Sequence, residues 1–173
     1  MRPMGETISI ALETSSRAGG VALGRGDNLL AETKLPETRR HAAYLLVELD
    51  TLLRREGLRP SDVDELYVSV GPGSFTGLRV GVTVARTLGQ FVEGLRLVAV
   101  ETLPAVAENA HEAEFDHLGV VMDAKDEMVY AGLFERSGGR IETTAAPNVI
   151  SEQEFLGAAP RPMLLIGEGL WYH

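Results

Sequence analysis

Three short β-like runs open the chain, at residues 8–12, 21–24 and 29–35. Between them lie Ser15-Ser16-Arg17-Ala18-Gly19-Gly20 and Arg25-Gly26-Asp27-Asn28, turn chemistry in which Gly and Asn accept φ > 0. The pattern predicts a three-stranded antiparallel meander. After Pro36 the period changes. Ala42, Leu45, Leu46, Leu49, Leu52 and Leu53 recur every three or four residues and fall on one helical face. Glu37 suits the positive end of that helix and Gly57 its stop, which predicts a helix from about 37 to 56. Pro60-Ser61-Asp62 reads as a turn and residues 66–70 as a strand.

Residues 78–91 send two signals. Val80, Val82, Thr83 and Val84 are β-branched and favour a strand, whereas Gly77, Gly81, Ala85 and Gly89 recur every four residues, as a flat stripe on a helix does. We read a helix, followed by a strand at 95–100, so the first hundred residues read β-β-β-α-β-α-β. From Glu101 the order resembles a shortened second copy. Thr102 can cap a helix to about 110, strands follow at 120–122, 128–134 and 140–144, and Ser151-Glu152-Gln153-Glu154 is a capping-box pattern. Residues 163–166 read as a strand and Gly167-Glu168-Gly169 as a turn or a phosphate-sized loop. The expected division is 1–100 and 101–173, the second half stopping one helix and one strand early.

Composition narrows the function classes. The 173 residues are 45% apolar and 24% charged, so a core can form. With 16 Lys and Arg against 25 Asp and Glu, net charge is −9, a poor balance for gripping nucleic-acid phosphates without a basic partner. The absence of cysteine removes disulfides, a thiol nucleophile, cysteine-ligated zinc and iron–sulfur clusters. The opening apolar run is too short for a secretion signal, and no run approaches the ~20 residues that span a bilayer. A cytoplasmic protein is the expectation.

Candidate chemistry lies in three places. Ile10-Ala11-Leu12-Glu13-Thr14-Ser15-Ser16 is a strand running into an acidic, hydroxyl-rich turn, a setting where N–H groups hold phosphate or a metal-bound water. Met122-Asp123-Ala124-Lys125-Asp126-Glu127 is the counterpart in the second half; ordinary hairpin turns are the plainer reading of both. The third, Gly71-Pro72-Gly73-Ser74-Phe75-Thr76-Gly77-Leu78-Arg79, sets three glycines, two hydroxyls, a buried-type aromatic and an arginine between a strand and a helix. It reads equally as an anion site at a helix N-terminus and as a loop shaped for tight helix packing. It is neither a P-loop nor a dinucleotide fingerprint. His41, His111, His117 and His173 include no pair at metal-binding helical spacing, no metal site is expected, and no serine sits in a nucleophile elbow. Trp171 is expected in the core.

Leu12-Glu13-Thr14-Ser15, Arg40-His41, the glycine loop at 71–79, and Asp123-Ala124-Lys125 before Val129-Tyr130 together resemble the TsaB (YeaZ) family, in order over nearly the whole chain. The resemblance implies an actin-like, ribonuclease-H-like duplicated α/β fold. It also implies a non-catalytic partner of TsaD, the subunit that transfers threonylcarbamoyl to an adenosine beside the anticodon of certain tRNAs, with the ATPase TsaE joining them. Self-association as a homodimer and contact with tRNA only through the complex are further implications, with ATP or ADP expected only in company of the partners. On this reading there are no catalytic residues. Candidate phosphate or nucleotide contacts are Glu13, Thr14, Ser15, Gly71, Gly73, Ser74, Thr76, Asp123 and Lys125. The candidate partner interface is His41, Leu45, Leu49, Gly77, Arg79, Gly81, Ala85 and Gly89. Two features depart from the family pattern: Glu13 where many relatives of the fold carry Asp, and Asp126-Glu127-Met128 where the family often shows a Gly. The competing readings are an actin-like-fold ATPase or small-molecule kinase, and a glycoprotease-type peptidase.

Overall fold

The computed structural model describes residues 6–35 and 41–171. The chain divides into two compact units, one of Met1–Val70 with Ser74–Val100 and one of Glu101–His173 with Gly71–Gly73.

The first unit runs β1 (Ile8–Glu13), β2 (Gly20–Arg25), β3 (Asn28–Lys34), α1 (His41–Arg55), β4 (Glu65–Gly71), α2 (Phe75–Phe91) and β5 (Arg96–Glu101), in the sheet order β3-β2-β1-β4-β5. β1 lies antiparallel to β2 with Ile10 opposite Leu23 and Leu12 opposite Val21, and parallel to β4 with Ile10 opposite Leu66 and Leu12 opposite Val68. Because side chains alternate across a strand, this register gathers Ile8, Ile10, Leu12, Val21, Leu23, Leu66 and Val68 into one buried cluster, closed by Leu45, Leu49, Leu52 and Leu53 of α1. Leu46 departs from the expected helical face: it is 50% exposed, at the flank of the stripe rather than within it. Gly57, at φ +67, ends the helix. The Leu58 N–H reaches the Leu53 carbonyl at 2.8 Å and the Gly57 N–H reaches that of Arg54 at 3.1 Å, a Schellman closure. Glu37, expected at the start of α1, lies outside the described residues. In α2 burial overrides β-propensity, since Val80, Val84 and Leu88 pack on the same cluster.

The second unit runs α3 (Thr102–Ala107), β6 (His117–Lys125), β7 (Met128–Ser137), β8 (Arg140–Ser151), α4 (Glu152–Ala158) and β9 (Met163–Ile166), in the sheet order β8-β7-β6-β9. β6 is antiparallel to β7 and parallel to β9, so the strands repeat the order and sense of β3-β2-β1-β4. The duplication read from the sequence is therefore present in the hydrogen bonding. β6 is buried on both faces. Leu118, Val120 and Met122 cluster with Leu103 and Ala107 of α3, while Val121 clusters with Phe155 of α4, which is why its sequence is almost continuously apolar. The strands β6 and β8 exceed the expected 120–122 and 140–144, because ladder pairing with β7 continues to residues 117 and 125 of β6 and to residue 151 of β8. At Ser151 the capping box is present in both directions.

Two expectations fail here. Thr102 does not cap α3. It is the first helical residue, 1% exposed, and its hydroxyl has no hydrogen-bond partner among the described residues, because the side chain is turned into the core of this unit. Trp171 is 85% exposed. The short 3-10 turn that carries it presents Gly169 to Val121 instead.

Candidate functional site

At the end of β1 the Glu13 carboxylate folds back on its own turn. Its Oε1 accepts both the Ser15 N–H and the Ser15 hydroxyl, each at 2.5 Å. Thr14 and Ser15 are 0% and 1% exposed. The Thr14 N–H is directed at Ser69 Oγ, 3.4 Å away, and its hydroxyl, without a partner among the described residues, lies against Gly81 of α2. The Thr14 N–H, the Ser15 N–H and the Ser15 hydroxyl are thus directed within this corner. Ser69 is the participant that sequence reasoning missed, since a lone serine within a strand carries no motif.

The glycine loop explains itself by packing. Gly71 and Gly73 take φ +116 and +150, values open to glycine and costly for other residues. Ser74 caps α2, its hydroxyl accepting the Gly77 N–H at 3.2 Å, while the Ser74 N–H donates to the Ser15 carbonyl at 2.6 Å. A side chain at Gly77 would overlap the Thr14 carbonyl oxygen, and one at Gly81 would overlap the Thr14 hydroxyl. Gly77, Gly81 and Ala85 are the buried residues of α2. These three positions thus face the sheet of their own unit, which corrects the expectation that Gly77, Gly81 and Ala85 belong to a partner surface. Leu45 and Leu49 are likewise corrected, at 0% and 4% exposure within the core. Gly89 is exposed, and a Cβ there would meet only the Leu97 side chain. His41 opens α1, with its side chain outside the described atoms.

Arg79 does reach the surface, and Phe75, expected to be buried, is 74% exposed with the Arg79 guanidinium over its ring at 5.2 Å. Both lie on the row 75-79-83-87, diametrically opposite the glycines. Thr76 is exposed beside them.

In the second unit, Asp123 and Lys125 close on each other. The Lys125 N–H donates to Asp123 Oδ1 at 2.8 Å and its ammonium lies 3.1 Å from Oδ2. Lys125, Asp126 and Glu127 have φ of 71, 52 and 61, three successive non-glycine residues in the left-handed region. Asp126 and Glu127 are the two residues of a hairpin turn with φ > 0 at both central positions, where glycine is preferred at the second. Glu127→Gly is therefore expected to stabilise the protein by about 1 kcal/mol. Urea unfolding checks this, and a variant no more stable than the parent would show the turn to be unstrained. Gly167, at φ +115, ends β9 much as Gly71 ends β4, and a Cβ there would overlap the Val121 carbonyl. The Gly167-Glu168-Gly169 glycines thus serve close packing on β6. Among the described residues no group of three His, Asp or Glu is placed to hold a metal ion, and no helix is long and apolar enough to cross a membrane.

The arrangement is a duplicated α/β protein whose two acidic turns are internally bonded, and the family model described as tRNA N6-adenosine threonylcarbamoyltransferase, TsaD, matches residues 28–168. Among individual relatives, the tRNA threonylcarbamoyladenosine biosynthesis protein TsaB of Bacillus subtilis is 32% identical over 168 residues, 95% of this chain and 72% of the relative. Its namesake in Haemophilus influenzae is 36% identical over 127 residues, 70% of this chain and 51% of the relative. The solved structure of YeaZ from Pseudomonas aeruginosa superposes with a TM-score of 0.77 at 25% identity, covering 94% of this chain and 84% of that one. The chain belongs to the TsaB (YeaZ) family, and its fold is the actin-like, duplicated α/β fold.

Proposed function

We propose that this chain is a non-catalytic scaffold subunit that binds and supports a TsaD-type transferase in threonylcarbamoylation of adenosine in tRNA, in the cytoplasm. One observation carries the non-catalytic part. At both turns where an actin-like fold would hold a nucleotide, the carboxylate is spent on the turn's own donors, Glu13 on Ser15 and Asp123 on Lys125. The biosynthetic part rests on family membership. A chain of net charge −9 reaches tRNA through its partners rather than by its own phosphate contacts, and any ATP or ADP is held by the assembled complex with a TsaE-type ATPase.

The surface for the partner is the outward side of α1 and α2, where Leu46, Val47 and Phe75 are exposed at 50%, 57% and 74%. Reconstitution tests the proposal. With the TsaD-type subunit, the TsaE-type ATPase, tRNA and the threonylcarbamoyl donor present, modification is expected to need this chain, and the chain should co-elute with the TsaD-type subunit in gel filtration. Full modification in its absence would overturn the scaffold role. ATP turnover by the isolated chain that disappears in Asp123→Asn would support the ATPase reading instead.

A further inference from the structure

β9 ends its sheet with an unguarded edge. It lies beside β6 as β4 lies beside β1, parallel in both cases. β4 has β5 on its far side, whereas among the described residues β9 neighbours β6 alone. Alternate residues of a strand direct their N–H and C=O groups to opposite sides, so half of those in Met163–Ile166 face outward, open to another strand. The other three strands that end a sheet carry charges within them: Glu32 and Lys34 in β3, Arg96 and Glu101 in β5, Arg140 and Glu142 in β8, which also holds Pro147. β9 has no charge, no proline and no register shift against β6. At four residues its ladder alone would hold little, but apolar surface is open on both of its faces. On one, a groove of about 150 Å³ is lined by Leu165, Phe155, Leu156 and Leu170, with Leu156 and Leu170 exposed. On the other, a cleft of about 640 Å³ lies beside Leu164, Pro162 and Phe115.

We infer that a second copy of this chain adds to the sheet at β9, edge to edge and antiparallel, joining the two sheets into one. What selects a second copy is the charge at the two ends of the strand. Arg161 lies two residues before β9 and Glu168 two residues after it. An edge that pairs with itself about a two-fold axis runs antiparallel. The Arg161 end of each copy therefore meets the Glu168 end of the other, and the opposite charges meet twice. The axis stands normal to the sheet, which keeps each face continuous across the join, so Leu156, Leu165 and Leu170 of the two copies border one surface. Arg161 donates to the Leu156 carbonyl at 3.3 Å, which holds its guanidinium on the α4 side. Glu152 lines the groove on that same side, next to Leu170, and adds to the acidic end. Glu114 and Asp116 line the cleft on the Phe115 side together with Arg136. Antiparallel pairing keeps these two acids of one copy at the far end of the join from those of the other. The edge belongs to the second unit and shares no residue with the outward side of α1 and α2, which belongs to the first.

The experiment measures self-association of the full chain by sedimentation over a concentration series, and amide hydrogen exchange of β9 at the two ends of that series. The parent should dimerise, and exchange at residues 163–166 should slow as the dimer forms. Arg161→Glu and Glu168→Arg should each weaken the dimer about tenfold, since each sets like charges together at both ends of the join. An equimolar mixture of the two variants should recover the parent affinity, because only the mixed pair restores opposite charges at both ends. Circular dichroism confirms that each variant keeps the fold. A mixture that associates no more tightly than either variant alone would overturn the antiparallel edge pairing. So would a dimer whose β9 amides exchange at the monomer rate, or a chain that stays monomeric throughout the series. β9 amides already protected at the lowest concentration would show the edge to be covered within one chain, and slowing only on addition of the TsaD-type subunit would assign the edge to that partner. Either result overturns the pairing of two copies and leaves the scaffold role standing.

Discussion

Gly77→Ala is expected to be among the most damaging single-methyl additions to this protein, even though alanine is the better helix former by about 1 kcal/mol. The added Cβ would overlap the Thr14 carbonyl oxygen, a backbone atom of β1 that no rotamer change can move. α2 would have to lift from the sheet, stretching the 2.6 Å bond between the Ser74 N–H and the Ser15 carbonyl and opening the seam over Thr14. The net loss should be about 2–3 kcal/mol or more, the upper range for overpacking. Gly89→Ala is the matched control, because its Cβ would come within 3.0 Å of a Leu97 methyl that can rotate away. Urea unfolding monitored by circular dichroism separates the two. Equal stability of Gly77→Ala and the parent would remove close packing as the reason for glycine here.

Phe134→Ala is expected to cost about 3–5 kcal/mol, the largest loss we anticipate from a core truncation. Phe134 is 1% exposed in the cluster with Leu103, Leu118, Val120 and Met122. Its ring lies over Gly132, two residues earlier on the same face of β7, 3.1 Å from where a Cβ would stand. Truncation would therefore leave a cavity and also bare a glycine within a strand, which the ring now covers. Phe91→Ala, at 82% exposure, should change stability by no more than about 0.5 kcal/mol. If the two variants melt together, the second unit does not depend on this core.

The element order was legible because apolar period and turn residues agree. The meander, α1 and its Gly57 stop, the Ser151 capping box and the repeated strand order all follow from local chemistry. What was not legible depended on which of two faces is turned inward. The recurrence of Gly77, Gly81 and Ala85 announces a close approach but not its partner, and only the position of Thr14 beneath α2 shows that the partner is β1. Phe75 looked like a core residue by type, yet it starts the helix two positions out of phase with the buried glycines and so points to solvent. Residue type placed Glu13 and Asp123 in turns, whereas Glu13 is the last residue of β1 and Asp123 lies within β6, ahead of the hairpin at Asp126-Glu127. Whether their carboxylates face outward or curl onto Ser15 and Lys125 is a matter of side-chain rotamer, which spacing does not encode.

β8 has a consequence for the behaviour of the protein in solution. It is an outer strand of its sheet, 12 residues long, and largely exposed. A strand of that length would ordinarily offer a ladder of free donors to any passing extended segment. Pro147 deletes a donor within it, and the pairing with β7 shifts register twice between Ala131 and Phe134, so the edge is kinked as well as interrupted. Prolines and bulges at edges block strand addition between molecules. Protection of this edge against strand addition is thus expected to rest on one pyrrolidine ring and two bulges.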